Sequence, residues 1–468
     1  MGGGYFRYSR IMKIGSAGGQ QVMRKYTEIL ADIERKRAEG ELRPGQKLPS
    51  VRQAAEMYGC SISTVTRAYE ELEKRHAIYS IPQSGYYMVE EEEEEAAVED
   101  GLIDLASSSP DLHVFPYRDF QHCLNKAIDT YRYHLFTYGD PKGLDALRDT
   151  LVKHLADDQV FAKAKQIAVT SGIQQTLQTL GRMPFPNGRS TVLVEQPSYN
   201  LYLNYLEAEK VPVKSIARTA GGIDLQQLEE ILRGGDIKCF YTMSRHHNPL
   251  GTSYGVKEKK AIARLAAKYD VYVVEDDYVA DLGDRRGFDP IFSYDQSGHV
   301  VYLKSFSKII FPGLRLGAVV VPESLIELFH AHNGQNAAAM LSQAALDIYI
   351  KNGMYERHRE KIYRQYESRI EILHDAVRKY NEAGLLEVAD VSSGVFIQFK
   401  VPQTVNLERV VDRLKERGIL VASGKLFYLS DYLQREKFLR ISISRARPEQ
   451  IHEGVKAVVE EVKRGMNA

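Results

Sequence analysis

The sequence predicts a multidomain protein in which a small, mostly helical domain precedes a large α/β domain. The chain has 468 residues, more than one hydrophobic core usually organises. Residues 1–89 carry 14 Lys and Arg against 9 Asp and Glu, and residues 90–100 then carry eight acids and no base. Beyond this acidic stretch, β-branched runs alternate with segments of helical periodicity, the pattern of a sheet covered by helices. We expect a tail at 1–19, a small domain at 20–89, an acidic linker at 90–101 and a large domain at 102–468.

Composition and cysteine usage exclude several classes of protein. Hydrophobic residues make up 44% of the chain and charged residues 26%, as in ordinary globular proteins. Cys60, Cys123 and Cys239 are too few and too scattered for a disulfide framework or a metal cage, and they fit a reducing compartment. The N-terminus lacks the apolar core of a signal peptide, and no run of about 18 apolar residues indicates a membrane span. We therefore expect a cytoplasmic protein.

Two helices are predicted at the start of the small domain. Residues 20–38 have apolar side chains at helical spacing, namely Val22, Tyr26, Ile29, Leu30 and Ile33. After a turn-rich connector, Ser50 can cap a second helix over residues 51–58 that ends at Gly59.

A third helix and a β-hairpin complete the small domain. Ser61 or Ser63 is expected to cap a helix over residues 64–76, so that two short helices meet at a glycine turn. Residues 78–89 alternate apolar and polar side chains around Gly85, as a small β-wing would. These elements predict a winged helix-turn-helix.

The winged helix-turn-helix resembles that of the GntR family of transcriptional regulators. The matching motifs are LPSVR at 48–52, STVTRAYEEL at 63–72 and SGYYMV at 84–89. The resemblance implies binding to double-stranded operator DNA, with hydroxyls and amides meeting phosphates and arginines reaching the backbone or base edges. The residues expected at the DNA are Arg52, Ser61, Ser63, Thr64, Arg67 and Gly85. Ile62 departs from the family, where many relatives have arginine, and the alternative is a helical protein-docking domain with a solvated basic face.

The six consecutive glutamates at 90–95 cannot pack in a core, because they repel one another. We expect a solvated, mobile linker here. An alternative hypothesis is that this negative segment competes with DNA for the basic small domain.

The large domain is predicted to contain a mostly parallel sheet. The candidate strands are 167–170, 192–195, 212–216, 238–243, 271–276, 299–305 and 315–321. Helices such as 174–183 and 256–269 fall between them, which favours a sheet covered on both faces. Ligands of such sheets gather at the carboxyl ends of the strands.

Three strand ends carry residues with related chemistry. The sequence SGIQQTL at 171–177 opens a helix after a glycine turn, which suits a phosphate. The sequence EDDY at 275–278 offers a carboxylate for a cationic ring nitrogen. Lys308, preceded by two serines and followed by Arg315, can form a Schiff base with an aldehyde. One phosphate, one pyridinium and one aldehyde describe pyridoxal 5′-phosphate (PLP).

From about residue 102 onward the chain resembles the fold-type I PLP-dependent aminotransferases. The matching motifs run in family order: YGDPKGLDALR at 138–148, TSGIQQTL at 170–177, VEQPSYN at 194–200, HNPLG at 247–251, EDDY at 275–278, SFSKIIFPGLRLG at 305–317 and FLRISIS at 438–444. The resemblance implies a large PLP-binding α/β domain with a C-terminal α+β subdomain.

The resemblance implies a role for each residue around the cofactor ring. Lys308 would form the internal aldimine, and Asp276 would bond the pyridine nitrogen. Tyr278 and Asn248 would bond the 3′-oxygen of the ring, while Tyr199 would stack on its face.

The same carry-over covers the phosphate and the amino-acid ligand. The phosphate would be held by the amides of Ile173 and Gln174 together with Ser305, Ser307 and Arg315. Tyr138 would reach the phosphate bound by the partner subunit, since such sites form at a dimer interface. Arg440 would bind the carboxylate of an amino-acid ligand by a bidentate fork.

Several alternatives remain open from the residues alone. Asp277 is the rival of Asp276 for the ring nitrogen, and Lys304 is the rival of Lys308. Arg315 and Arg440 could be surface arginines, and Tyr199 could be a core tyrosine. The sequence SRHHNPLG at 244–251 departs from the family pattern, so one of His246 and His247 is expected to face the ring unless both are ordinary loop residues. The chain also has no Trp, although relatives often place one after Phe115 and Pro116.

A GntR-like head at 20–89 and an aminotransferase-like body at 102–468 together resemble the MocR-type subfamily. The resemblance implies a homodimeric transcriptional regulator that senses an amino compound through exchange at Lys308, with no metal and no membrane partner. The head of one subunit can lie against the body of the other, and the protein is expected on the nucleoid when it binds DNA. Two alternatives stay open: an active aminotransferase with an autoregulatory head, and a sensor of PLP itself.

Overall fold

The computed structural model describes residues 25–37, 39–43, 45–74, 77–81, 84–89, 101–283, 288–334 and 337–466. Contacts along the chain divide it into two compact units, Met1–Ala97 and Val98–Ala468. The expected tail at 1–19, Val22 and nearly all of the expected linker at 90–101 lie outside the described residues.

The N-terminal unit contains the helices and the hairpin that the sequence predicts. Helix α1 is described over residues 25–37, α2 spans Val51–Tyr58 and α3 spans Ile62–Lys74. Strands β1 (Ile78–Ile81) and β2 (Gly85–Met88) pair antiparallel, so the β-wing is present. Apolar residues of all these elements share one small core, in which Ile29, Val65 and Leu72 are inaccessible to solvent.

The two short helices are capped by serines. The Ser50 hydroxyl accepts a hydrogen bond from the Gln53 amide, the Gln53 side chain accepts one from the Ser50 amide, and Gly59 ends α2 at φ 59°. The Ser61 hydroxyl accepts from the Thr64 amide at 3.2 Å, so Ser61 and not Ser63 begins the third helix. That helix starts two residues before the predicted position.

Replacing Ser50 with alanine is expected to weaken α2 by about 1 kcal/mol, because the Gln53 amide then loses its acceptor. The measurement is native-state hydrogen exchange of the α2 amides in the full chain, which should become about fivefold faster. Ser63→Ala is the control, since this exposed serine caps no helix and should change exchange of α2 little. Unchanged exchange in Ser50→Ala would contradict the cap.

The C-terminal unit is built on an eight-stranded sheet. Its order is β4-β11-β10-β9-β8-β5-β6-β7. The strands are β4 (Ile167–Thr170), β5 (Thr191–Gln196), β6 (Val213–Thr219), β7 (Gly222–Ile223), β8 (Ile237–Thr242), β9 (Tyr272–Asp277), β10 (Val300–Ser305) and β11 (Gly317–Val320). All seven predicted strands are present within a few residues. Strand β11 pairs antiparallel with both β10 and β4, which the sequence did not indicate.

Helices flank this sheet and lead into the C-terminal part of the unit. They are α4 (Tyr117–Tyr131), α5 (Asp145–Ala156), α6 (Ile173–Arg182), α7 (Asn200–Ala208), α8 (Leu225–Arg233), α9 (Val256–Tyr269), α10 (Ile326–Asn333), α11 (Met340–Lys351) and α12 (Met354–Tyr380). Two separate apolar cores pack against the sheet. Burial on both faces explains why the strands read as continuous apolar runs.

A second, antiparallel sheet forms the C-terminal subdomain. Its order is β12-β13-β16-β15, with β12 (Glu387–Val388), β13 (Phe396–Lys400), β15 (Ala422–Ser423) and β16 (Phe438–Ser442). Helices α13 (Leu407–Glu416) and α14 (Pro448–Met466) accompany it. Strand β3 (Ile103–Asp104) pairs in parallel with β14 (Ile419–Leu420), so the start of the unit is attached to this subdomain. The predicted fold class is confirmed.

No helix in the described part of the chain is long and apolar enough to cross a membrane.

Candidate functional site

One cavity of about 210 Å³ lies at the carboxyl ends of β4, β9 and β10. It is lined by ten of the residues that the sequence analysis selected: Ile173, Gln174, Tyr199, Asn248, Asp276, Tyr278, Ser305, Ser307, Lys308 and Arg315. These residues come from six separate segments of the chain. Their convergence supports the choice of each residue far more strongly than its own motif did.

Lys308 follows strand β10 after a short turn, and its side chain enters the cavity. Its ammonium Nζ donates a hydrogen bond to the backbone carbonyl of Ser108. Burial and the neighbouring Arg440 guanidinium lower the pKa of Lys308 to about 7, against the opposing effect of Asp276. A substantial fraction of the amine is therefore neutral and nucleophilic near neutral pH.

The rival lysine occupies a different environment. Lys304 lies within β10, has no solvent exposure and does not line the cavity. Its ammonium is 2.8 Å from an oxygen of Asp158 and 2.9 Å from an oxygen of Asp281. These ion pairs give Lys304 a structural role, so Lys308 is the lysine available to a ligand in this cavity.

Asp276 presents a carboxylate to the cavity at the end of β9. Its Oδ2 accepts a hydrogen bond from the Tyr241 hydroxyl at 2.9 Å, whereas its buried Oδ1 has no partner among the described residues. Burial raises the pKa of Asp276 to about 7. A buried acceptor without a donor is costly, so this oxygen suits a ligand that brings a cationic N–H.

The rival acid Asp277 has its own partners and does not line the cavity. Its Oδ2 lies 2.7 Å from the Arg245 guanidinium and accepts a hydrogen bond of 2.7 Å from the Tyr302 hydroxyl. Because side chains alternate along a strand, the neighbouring acids of β9 point to opposite sides.

The far end of the cavity is suited to an anion. Helix α6 begins at Ile173, so the amides of its first turn, including that of Gln174, have no acceptor within the helix. Gly172 adopts φ 101°, and a Cβ there would lie 3.2 Å from the Arg315 guanidinium. Arg315 itself adopts φ 51° and donates to the Ser171 carbonyl at 3.3 Å. Glycine thus lets the guanidinium approach the helix N-terminus.

Arg440 is not among the residues that line the cavity, but it contacts two that do, Asn248 and Phe396, and it is held between aromatic rings. The Arg440 guanidinium on β16 lies 4.3 Å from the centre of the Phe396 ring and 4.9 Å from that of Phe427. It donates to Asn248 Oδ1 at 3.1 Å and to the Ala106 carbonyl, and it is 7% exposed. Burial lowers the pKa of Arg440 to about 10, and the side chain stays cationic at neutral pH. Arg440 is therefore not a surface arginine.

Two further residues of the site have defined positions. The Tyr278 hydroxyl donates to the backbone carbonyl of His246 at 2.7 Å. Tyr138 is fully exposed and does not line the cavity of its own chain. Its expected contact with a partner subunit stays a prediction.

The expectation that His246 or His247 faces the cofactor ring is wrong. Neither residue is among those that line the cavity. His247 Nε2 lies 3.1 Å from an oxygen of Glu195. The His246 ring stacks on the Phe288 ring, and the ring centres are 6.4 Å apart. The buried Glu195 carboxylate binds the His247 imidazole outside the cavity lining, whereas Asn248 lines the cavity.

The helix-turn-helix residues are mostly accessible. Arg52, Ser61, Ser63 and Arg67 are exposed, and Gly85 is partly exposed. The Thr64 side chain is 2% exposed and its hydroxyl is within 2.8 Å of the Ser61 hydroxyl, so its expected contact with DNA stays a prediction. Thr64 lies one turn before the buried Ala68 and on the same face of α3, whereas Ile62 is 54% exposed at the helix N-terminus.

Family models match both units of the chain. The bacterial regulatory proteins, gntR family model covers residues 25–88, and the aminotransferase class I and II model covers residues 100–458. A 443-residue alignment with the uncharacterized HTH-type transcriptional regulator YcxD of Bacillus subtilis is 47% identical and covers 93% of this chain and 99% of the relative. This chain belongs to the MocR-type GntR proteins.

Other relatives and solved structures agree with the MocR-type layout. The uncharacterized HTH-type transcriptional regulator YjiR of Escherichia coli is 26% identical over 95% of this chain and all of its own length. The Pyrococcus horikoshii kynurenine aminotransferase, solved with PMP, superposes with a TM-score of 0.72 at 27% identity, covering 79% of this chain and 92% of its own. The Thermococcus profundus multiple substrate aminotransferase superposes with a TM-score of 0.73 at 26% identity, covering 79% and 93%.

PLP is the cofactor of this aminotransferase fold, and the cavity of the MocR-type chain fits it. Asp276 has a buried oxygen that lacks a donor, which suits the ring N–H. Gly172 and the start of α6 leave room and amide donors for a phosphate beside Arg315. Lys308 supplies an amine of lowered pKa between these two groups.

Sequence reasoning missed several residues of the MocR-type cavity. Ser108, Ser109, Met243, Pro312 and Phe396 also line it. Ser108 and Ser109 belong to the run ASSSP at 106–110. Small polar residues of this kind occur in many loops, so the run does not indicate a binding site. Phe396 lies on a strand of the C-terminal sheet that reads as ordinary core, so its local pattern contains no signal for this site.

Proposed function

We propose that this chain is a transcriptional regulator that binds operator DNA, holds PLP at Lys308 and senses an amino compound whose carboxylate binds Arg440. One observation carries the proposal. An amine of lowered pKa and an acid with one oxygen that lacks a hydrogen-bond donor line one cavity, and a buried arginine contacts the lining residue Asn248, in a chain whose other unit is a GntR head.

The residues divide the binding of cofactor and ligand between them. PLP supplies an aldehyde that accepts amines, together with a ring that can be cationic. Asp276 accepts the hydrogen bond of the ring nitrogen, and Tyr278 and Asn248 orient the opposite edge of the ring. The amides of Ile173 and Gln174 bind the phosphate.

Lys308 and Arg440 determine which ligands are recognised. Near neutral pH the Lys308 amine is partly neutral, so it can give up or accept a proton beside the ligand amine. The Arg440 guanidinium is cationic and largely shielded from water, so it binds a carboxylate more strongly than an exposed arginine would. These two groups select amino acids or similar amino compounds.

The proposal includes a homodimer that acts on DNA in the cytoplasm, at the nucleoid. Tyr138, fully exposed in one chain, would contact the phosphate bound by the partner subunit. The two heads would read two half-sites, and each head can lie against the body of the other subunit. Ligand binding alters DNA affinity only if the ligand prefers one arrangement, and a preference of about 1.4 kcal/mol shifts the population tenfold.

The experiment adds PLP to the full chain and then titrates single amino acids and amines while recording visible absorbance. The same solutions are assayed for binding to a duplex selected from a random DNA library. We expect PLP to produce a visible band, and at least one amino acid to change both this band and the DNA affinity. An active aminotransferase would instead show steady turnover of an amino-acid and keto-acid pair. A PLP sensor would respond in DNA affinity to PLP alone.

Replacing Arg440 with glutamine is expected to weaken the spectral response to that amino acid by about 10–100-fold, because the charge-assisted contacts to its carboxylate are lost. The response to the corresponding amine without a carboxylate should change little. Arg447→Gln is the matched control, since Arg447 is exposed, whereas Arg440 is buried against the lining residues Asn248 and Phe396. An equal loss for the amino acid and the amine would contradict the assigned role.

A further inference from the structure

A short segment that begins at the last residue of β3 supplies backbone acceptors to Lys308, which lines the cavity, and to Arg440, which lies beside the lining residues Asn248 and Phe396. We call residues 104–109 the strap. The Ala106 carbonyl accepts a hydrogen bond from Arg440, and the Ser108 carbonyl accepts one from Lys308. These cations come from different parts of the unit, Arg440 from the C-terminal sheet and Lys308 from the end of β10. The strap thus ties the two sides of the site together.

The strap is held in place mainly by side chains that do not line the cavity. The Asp104 carboxylate accepts from the amides of Ala106 and Ser107 at 3.0 and 2.7 Å. The Ser444 hydroxyl donates to the Ser107 carbonyl at 2.9 Å. Leu105 is fully buried, so the start of the strap is anchored while its later residues face the cavity.

The Ala106 carbonyl engages the guanidinium that the proposed ligand carboxylate needs. A carbonyl is a neutral acceptor, and a carboxylate binds a guanidinium more strongly than a neutral acceptor does. A ligand carboxylate can therefore replace the Ala106 carbonyl as the hydrogen-bond acceptor of Arg440. A ligand without a carboxylate offers no such acceptor.

We propose that the strap is an internal competitor of the ligand: a carboxylate that binds Arg440 displaces the Ala106 carbonyl and releases residues 106–109. This inference rests on the proposed function. It predicts that the strap responds to the carboxylate and not to filling of the cavity as such. It also sets the affinity for carboxylate ligands, because every such ligand must first break the contact between Arg440 and the strap.

Two probes separate these effects in the full chain. Pyridoxamine 5′-phosphate carries the ring and the phosphate without a carboxylate, and N-(5′-phosphopyridoxyl)-L-alanine adds the carboxylate. Binding of each is followed by pyridoxyl fluorescence, and strap release by hydrogen exchange of the peptides that cover residues 102–111. We expect faster exchange with the alanine compound than with pyridoxamine phosphate, both at saturation. Equal exchange with both compounds bound would overturn the strap proposal.

The direction of the change in ligand affinity in one variant tests whether the strap competes with the ligand. Ser444→Ala removes one tie of the strap and leaves the cavity lining unchanged. It is expected to tighten binding of the alanine compound about 2–10-fold and to leave pyridoxamine phosphate unchanged, because a looser competitor is easier to displace. Ser423→Ala is the matched control, since its hydroxyl donates to Glu408 on the same subdomain. Weaker or unchanged binding of the alanine compound in Ser444→Ala would overturn the proposal.

The two proposals fail in distinguishable ways. If neither compound binds, the proposed function is wrong and the strap inference is wrong with it. If both compounds bind but exchange of the strap does not depend on the carboxylate, only the strap inference is wrong. The exchange comparison uses the unchanged protein, so it decides the question even where Ser444→Ala does not fold.

Discussion

Replacing Lys308 with alanine is expected to abolish stable retention of PLP. The side chain is the only lysine among the described residues that line the cavity, and its amine has a pKa lowered to about 7. Without this amine the cofactor is held only by contacts to its ring and phosphate, which exchange rapidly. The measurement is visible absorbance after PLP is added in excess and then removed by gel filtration. We expect less than about a tenth of the absorbance of the unchanged protein.

Substitution of the rival lysine should have the opposite pattern. Lys304→Met leaves Asp158 and Asp281 buried without their shared cation, which typically costs 3–5 kcal/mol of stability. The folded fraction of Lys304→Met should still retain the visible absorbance of bound PLP, because Lys304 lies outside the cavity. Lys425→Ala, an exposed substitution, controls for the loss of a lysine as such. Retained absorbance in Lys308→Ala would show that another amine holds the cofactor.

The strands of the large sheet could be predicted because each is buried on both faces. Residues 167–169 and 271–274 are continuous apolar runs, and the strands predicted at 167–170 and 271–276 are present within one residue. The direction of β11 could not be predicted. Direction depends on which strands become neighbours, and those contacts join residues that are far apart in the chain.

Residues that line the candidate site could be predicted where they lie at a strand end or next to a glycine turn. Asp276 lies at the end of β9, Lys308 follows β10 after a short turn and Gly172 precedes a helix, so the local sequence pattern sufficed. The burial of Thr64 follows from helical spacing, because Thr64 lies four residues before the buried Ala68 on the same face of α3. The expectation that His246 or His247 faces the ring was wrong for a reason of geometry that the sequence does not contain. The orientation of His247 depends on Glu195, which is 52 positions away.

Replacing Asp276 with asparagine is expected to stabilise the cofactor-free protein and to weaken its hold on PLP. Burial raises the pKa of Asp276 from 3.8 to about 7, so ionisation of this carboxyl opposes folding at neutral pH. Asparagine keeps an oxygen that can accept from the Tyr241 hydroxyl, and it carries no charge. One pKa unit corresponds to about 1.4 kcal/mol, which gives an upper bound of about 4 kcal/mol for the gain.

The pH dependence of this gain has a definite sign. Below pH 4 the carboxyl is protonated in both the folded and the unfolded chain, and the substitution should change stability little. Between about pH 4 and 7 the unfolded chain loses its proton first, so the advantage of asparagine grows. Above pH 7 it should be constant. Urea unfolding of the cofactor-free protein, followed by circular dichroism at pH 4, 6 and 8, measures this trend.

The neighbouring acid provides a control, because it has a buried counter-charge. Asp277→Asn leaves the Arg245 guanidinium buried without that counter-charge, which typically costs about 3–5 kcal/mol of stability. Burial raises the pKa of Asp277 too, so removal of its charge offsets part of this cost, and we expect a net destabilisation. PLP should stabilise the unchanged protein more than Asp276→Asn, since only the carboxylate can pair with a cationic ring nitrogen. We assign Asp276 to a ligand and Asp277 to the Arg245 ion pair. If asparagine stabilises the protein at both positions, or at neither, this assignment is contradicted.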